Sequence, residues 1–491
     1  MKLAQAIKFR MKKLAQQLLL LPLLVFCITS LHAQEKKESG SWFDDLKKGV
    51  EEVLSDEESA TGALKKIPKL LQQGPTPEGI EFFKQMESEY AKQLKDRSIM
   101  KGVEDERTMG LIVNLQQPAD QADSPLSPVA AFIYNKPDLI GETDFTLVTA
   151  LVFNRIDFST PINSDLEFGY GAEMQVGIAG STLYHEGIEQ KAASYEGDSL
   201  AAEMKLTYFY GENLELNFGV SNQSRRYRLK NKTLTDPSGD EVENPYVLPK
   251  QHQNRSVYLA GQYGTLVTNL KFILDETMPM EGYALRFHLS YHNRTDMGHW
   301  DDFSQDTSGD EKLESYSRGE MSLHFHLPVA ELSEFNFQLY YGKIDRVDRE
   351  NAFRIGGLGD VQQYRKPLHG YYDKEFYTGE FGLANVRYSI GLNENNRILL
   401  QYDYLLFKNS ELTFATQEEN NKFESRQGAG IAYLITFLDS HQLKLDLGYG
   451  FDAKRRDKNQ VDKNGVVKDE YSNKDASKGS TVATLHYQAW F

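Results

Sequence analysis

Cysteine is nearly absent, with one in 491 residues, Cys27. Proline is sparse at 15, and no apolar run approaches the roughly twenty residues that cross a bilayer as a helix. A mean hydropathy of −0.54 agrees and excludes a multi-span helical carrier. Basic residues are outnumbered, 55 against 71 acidic, so no basic face is at hand to neutralise phosphates and nucleic acid is excluded as a main partner. What is abundant is 37 glycines, 27 tyrosines and 27 phenylalanines, the composition of strands and tight turns.

The first 33 residues read as a secretory leader. Lys2, Lys8, Arg10, Lys12 and Lys13 precede the apolar run Leu18 to Ile28, and Ala33 marks a small-residue cleavage site, with Met11 an alternative start. Removal takes five of the 55 basic residues and none of the 71 acidic ones, leaving a mature net charge near −21. Cys27 leaves too, which excludes disulfides, thiolate nucleophiles and Cys-ligated metals. Phe26 before Cys27 argues against lipoprotein processing. Residues 34–105 are polar with helical spacing. Phe43, Leu46, Val50, Val53 and Leu54 follow Ser41 as a cap, and Ile80, Phe83, Tyr90 and Leu94 follow Thr76-Pro77. That interval reads as a helical plug or periplasmic segment, or as a docking site for a partner.

From 106 to 491 the period is two. Tyr283, Leu285, Phe287, Leu289 and Tyr291 alternate with Ala284, Arg286, His288, Ser290 and His292, and Leu443 to Phe451 repeats the pattern. Connections in the second half alternate between short turns, near 276–281, 328–334, 391–396 and 438–441, and long loops, near 293–314, 344–378, 408–424 and 453–480. Aromatic residues stand at strand ends, and the chain finishes on a strand bearing Leu485, Tyr487 and Phe491. The expected fold is all-β, a transmembrane antiparallel barrel closed because an open edge in lipid leaves backbone groups unpaired. Fifteen strands are legible directly. An even number points to sixteen, with the extra division expected either within 164–180 at Gly169 to Gly171 or within 255–275 near Gly264-Thr265.

Several collinear motifs resemble the BamA/TamA superfamily of outer-membrane assembly and translocation barrels. Phe353-Arg354-Ile355-Gly356-Gly357, Pro367-Leu368-His369-Gly370-Tyr371 and Asn385-Val386-Arg387-Tyr388 are similar to its sixth extracellular loop and the following strand. Leu274-Asp275-Glu276-Thr277 through Pro279 to Gly282-Tyr283 resembles its Asp-Thr-Arg turn. Gly428-Ala429-Gly430, Leu443 to Asp446 and Phe491 resemble its last three strands, Leu485, Tyr487 and Phe491 forming the assembly signal. The resemblance covers about 255–491. It implies a bacterial outer-membrane location, a loop folded into the lumen, insertion or translocation of client outer-membrane or exported proteins through a lateral seam, and dependence on the barrel assembly machinery for its own insertion. The family's loop Arg is replaced by His369. By alternation Arg387, Gln401 and Asp403 point inward while Val386, Tyr388, Tyr402 and Tyr404 face lipid, so Asp403 is the expected acceptor for His369 or Arg365. Imidazole is uncharged near neutral pH, so a weaker or pH-sensitive lock is expected. The interval 34–105 shows no mixed α/β pattern of a POTRA domain, which aligns the chain with the POTRA-less branch; the alternative function is a passive pore or structural surface barrel.

No enzyme chemistry is legible. His288, His292 and His299 with Asp296 and Asp301 match no metal-ligand spacing and read as lumen and loop polarity, as do His324 and His326. No Gly-x-Ser-x-Gly elbow is present. Neither a metal nor a cofactor is expected, and lipid is the expected surrounding.

Overall fold

The computed structural model describes residues 108–490 except 119–126, 151–152, 178–181, 211–212, 237, 266–281, 296–313, 331, 358–365, 373–374, 394, 409–422, 438–440, 469–470 and 472–475. The leader, the 34–105 segment, the Leu274 to Pro279 motif, His299, Arg365 and Phe491 lie outside the described residues. Numbering only the strands of the barrel, the first half holds β1 Thr108–Pro118, β2 Ser127–Ile140, β3 Thr143–Ala150, β4 Phe153–Asn163, β5 Leu166–Gln175, β6 Tyr195–Tyr210, β7 Leu214–Leu229 and β8 His252–Gly264. The second half holds β9 Gly282–Thr295, β10 Ser315–Ala330, β11 Ser333–Ile344, β12 Glu380–Asn393, β13 Asn396–Lys408, β14 Phe423–Phe437, β15 His441–Arg455 and β16 Ser477–Trp490.

Each strand pairs antiparallel with its sequence neighbours, and β1 pairs with β16 from Gly110↔Trp490 to Pro118↔Val482, closing a sixteen-stranded barrel. Closure gives the backbone groups of both terminal strands partners, which a hydrocarbon surrounding requires. The pleat then sorts the side chains. On β13, Leu400, Tyr402 and Tyr404 are exposed outward, whereas Gln401 and Asp403 face the lumen. Leu445, Leu447, Tyr449 and Phe451 extend the same apolar outer face on β15. These exposed residues form a lipid-facing belt, so the protein is a transmembrane barrel of the outer-membrane type.

The sixteenth strand is not where the glycines pointed. The stretch expected as one strand at 144–155 breaks at 151–152 into β3 and β4. That connection is Leu151-Val152, without glycine, proline or an Asx residue, so nothing in its chemistry announces a turn. Gly169 and Gly171 instead lie within β5, where added Cβ atoms would stand 2.7 Å from Lys205 Cε and 2.5 Å from Asp157 Oδ1. They make room for lumen side chains. β8 is described as far as Gly264 and β9 from Gly282, and the short turn expected at 276–281 lies outside the described residues. One end of the barrel carries tight turns, such as Gly141-Glu142 with Gly141 at φ +64°, and the other carries the long loops together with the two-residue β3–β4 connection.

Among the described residues, two clusters of buried apolar side chains stand at the long-loop end. One cluster, including Phe353, Ile355, Leu368, Tyr371, Leu383 and Leu405, joins the 345–379 loop to the inner wall. A second, of Leu183, Ala193, Val347, Ala352 and Tyr377, joins that loop to the 176–194 loop. Further cross-links roof this end: Asn464 Nδ2 donates to Thr235 O at 2.6 Å, and Gln190 Nε2 to Gly465 O at 2.8 Å.

Candidate functional site: a loop locked against the lumen wall

The loop between β11 and β12 turns inward. A short ladder, Phe353–Ile355 with Phe376–Thr378, closes its base. Gly356 and Gly357 follow at positive φ, and Gly357 bridges back to Leu368, bringing the two sequence motifs together. The segment His369-Gly370-Tyr371 then lies on a floor of four glycines, Gly428 and Gly430 from β14 and Gly448 and Gly450 from β15. An added Cβ would meet His369 O at 2.3 Å from Gly428, His369 Cδ2 at 2.3 Å from Gly430, and Gly370 N at 2.6 Å from Gly448. Gly370 has φ +79°, and a Cβ there would sit 1.8 Å from Gly450 N. Loop backbone therefore touches wall backbone, which any larger side chain prevents.

His369 is the pin. Its backbone N–H donates to Asp403 Oδ2 at 2.7 Å, its Nδ1 lies 2.5 Å from the same oxygen, and its Nε2 lies 3.6 Å from Asp446 Oδ2. Asn385 Nδ2 donates to Asp403 Oδ1 at 2.6 Å and to Pro367 O at 3.2 Å, and Gln401 Nε2 donates to Asp446 at 2.9 Å. Burial opposes a charge on the imidazole, but Asp403, and then Asp446, outweigh it and push its pKa up to about 10. Two carboxylates thus hold His369 as an imidazolium in the neutral range, in place of the uncharged imidazole expected there, and the pH sensitivity of the lock falls on the alkaline side. His369 does by double ion pairing what a guanidinium would do by its fork.

Three further clusters fasten the same loop around the wall. At its start, Glu350 receives Arg225 Nη1 of β7 at 2.6 Å and His252 Nε2 of β8 at 3.1 Å, while Arg294 Nη2 of β9 reaches Asp348 at 2.6 Å. Burial disfavours the Glu350 carboxylate, yet Arg225 first, then His252 and Arg294, hold it well below the usual range. Asp348 Oδ1 also accepts the N–H groups of Glu350 and Asn351, tying Asp348-Arg349-Glu350-Asn351 into a tight turn. Midway, Lys366 Nζ lies 2.7 Å from Glu320 of β10, whose other oxygen takes Arg318 Nη2 at 2.6 Å. At the far end Glu375 receives Arg455 of β15 at 2.7 and 3.0 Å, and that guanidinium covers the Tyr372 ring at 4.0 Å. The loop is thus held from β7 round to β15.

Of the residues singled out from sequence, Gly356, Gly357, Pro367, Leu368, His369, Gly370, Tyr371 and Asp403 are brought together here. Arg387 lies one inward step beyond Asn385, opposite Gln401, and Asn385 donates to Asp403. Leu485 and Tyr487 stand on β16 away from the loop, Tyr487 Oη 2.7 Å from His441 Nδ1. His288 stacks on Tyr258 and His292 on Tyr316, at 5.2 and 4.4 Å between ring centres. Asp446, Asn385 and the Glu350, Glu320 and Glu375 clusters were not anticipated. Their signal is inward charge at alternate strand positions facing charges in one long loop, a pairing that only the folded loop path reveals.

No family model and no curated protein sequence matches the chain. Among solved structures, CdiB from Acinetobacter baumannii is similar at 11% identity and a TM-score of 0.46, covering 78% of this chain. The chain spans 60% of the length of that CdiB. BamA from Haemophilus ducreyi lacking POTRA domains 1–3 gives 11% identity and a TM-score of 0.48, over 78% of this chain and 70% of that one. OprB from Pseudomonas putida gives 9% and 0.43, over 81% and 97%.

Proposed function

We propose that the protein resides in a bacterial outer membrane and acts as an assembly or translocation barrel, inserting or passing client polypeptides by way of the β1–β16 seam while the lumen loop steadies the wall. The observation that carries this reading is the inward loop, locked to the wall by buried charges on strands from β7 to β15. A passive channel works by leaving its axis to water. Here a segment centred on His369 occupies lumen space and is fixed there at the cost of burying ions. The seam supplies the working element: β1 and β16 meet only through each other, so separating them exposes two edges that template an incoming strand. No bond chemistry or cofactor enters this scheme.

A closed passive or structural barrel is the second reading, favoured by the uninterrupted seam register from Gly110↔Trp490 to Pro118↔Val482. Photocrosslinkers placed at Ile112 and Asn114 in cells separate the two. Adducts with other barrels or with an exported protein support the seam mechanism; adducts confined to residues 481–491 of the same chain overturn it. A cystine lock gives an internal control, because the mature chain lacks cysteine. Leu485→Cys paired with Leu115→Cys bridges the seam, whereas Leu485→Cys paired with Leu445→Cys bridges the neighbouring ladder. Loss of client delivery in the first pair alone is the expected result.

A further inference from the structure

The outer wall carries a groove of about 570 Å³ at β8–β11, on the lipid side and remote from the loop lock. Strand register explains it. One row across the wall reads Leu259↔Leu289↔Gly319↔Lys343, and the next toward the long loops reads Val257↔Tyr291↔Ser317. Leu259, Leu289 and Tyr291 stand tall and exposed, while β10 contributes only Gly319 and Ser317, so the wall is dented where two small residues meet large ones. The dent lies at the upper edge of the apolar belt. Below it the outward positions of β10 run Met321, Leu323, Phe325 and Leu327; above it β8 turns from Val257 to Arg255 and β11 from Tyr341 to Lys343.

From this placement we infer that the groove is a binding site for a phosphate-bearing membrane lipid, with one acyl tail lying over Gly319 and Ser317 and the headgroup phosphate at Lys343. The apolar sides and the bilayer position select a hydrocarbon tail, because lipid tails are the apolar material at hand and a tail fills the dent that Gly319 and Ser317 leave. Lys343, the first outward charge above the belt on β11, selects the headgroup. Lys343 pairs with Glu380 at 3.4 Å and still leaves 59% of its side chain exposed to a headgroup. Asp345, the carboxylate on the groove wall, is already turned to the Ser317 N–H at 2.6 Å. The inference requires the membrane-spanning barrel alone and stands whether or not the seam opens.

Native mass spectrometry of the full chain in detergent, titrated with dioleoylphosphatidylglycerol and separately with dioleoylphosphatidylcholine, tests the site. The expected result is one saturable adduct that favours the anionic lipid. Gly319→Leu, whose Cβ would lie 3.3 Å from the movable tip of Leu289, fills the groove and weakens that adduct about tenfold, the equivalent of about 1.4 kcal/mol. Lys343→Glu removes the preference between the two lipids and leaves tail binding. Ala429→Leu, on the lipid-facing side of β14, changes neither. Ser317→Leu serves as a second filling variant should Gly319→Leu fail to show the heat-modifiable mobility of a folded barrel. Unsaturable adducts equal for both lipids, or adducts unmoved by either filling variant, overturn the proposal.

Discussion

Two parts of the lumen wall are built from the same kinds of residue and hold them in different states. On β4 to β6, Arg155 meets Asp157 at 2.7 Å, Glu173 at 3.4 Å and Glu203 at 3.5 Å, and all four side chains keep about a fifth to a third of their surface exposed. On β13 and β15, Asp403 and Asp446 are sealed under His369 and the loop. Both parts follow the same inward alternation of charge. The difference is the loop, which covers one part with polypeptide and so converts solvated lumen charges into buried, mutually dependent ones. A screened surface pair is worth little, whereas a buried pair holds the structure hostage to both partners.

The sharpest way to break this contrast is Glu350→Ala. It leaves Arg225, His252 and Arg294 facing each other without their shared carboxylate, and is expected to cost about 3–5 kcal/mol. The measurement is the temperature of the heat-modifiable gel shift, together with trypsin cleavage inside 345–379. Alkali should work on the other end of the loop. Because the His369 pKa is raised, its stabilising contribution is complete below about 6.5, its ordinary value, and falls away as pH rises through about 10. Loop protease resistance should therefore be level from pH 5.5 to 6.5 and then fall toward pH 10, with the trend abolished in His369→Ala; a loosening between pH 7 and 5.5 would contradict the double ion pair. Gly448→Val should cost about 1–3 kcal/mol by overpacking against Gly370, read as a lower melting temperature with the barrel still folded. Arg155→Ala in the open part of the wall should shift stability by less than about 1 kcal/mol, within the scatter of exposed pairs.

How far the sequence carried can be judged from particular residues. Leu443 to Phe451 and Tyr283 to Tyr291 state their two faces outright, because a barrel wall has water on one side and lipid on the other. Gly169 and Gly171 misled, since a glycine that admits a lumen side chain and a glycine that turns the chain look alike until the neighbours are known. Leu151-Val152 misled in the opposite sense, since no turn residue marks the division between β3 and β4. At the site, the loop motif and Asp403 were legible because one strand's alternation suffices to place an inward acid. Asp446 and the glycine floor were not, because they require knowing that β14 and β15 lie beneath the same three loop residues. The charge of His369 was misjudged for a related reason: Asp403 was foreseen as an acceptor, and its charge, with that of Asp446 added, keeps the buried ring protonated.

The glycine floor also bears on the order of events during assembly. Gly428 and Gly430 belong to one strand, Gly448 and Gly450 to the next, and the bare patch exists only when the two are paired as Gly428↔Gly450 and Gly430↔Gly448. A slip of one strand by a single residue would turn its glycines outward and present Ala429 and Ile431, or Leu447 and Tyr449, to the lumen instead. The loop has no seat on such a wall. Its docking therefore comes after the β14–β15 pairing and acts as a proofreading step, through which only a correctly registered C-terminal wall acquires its lock.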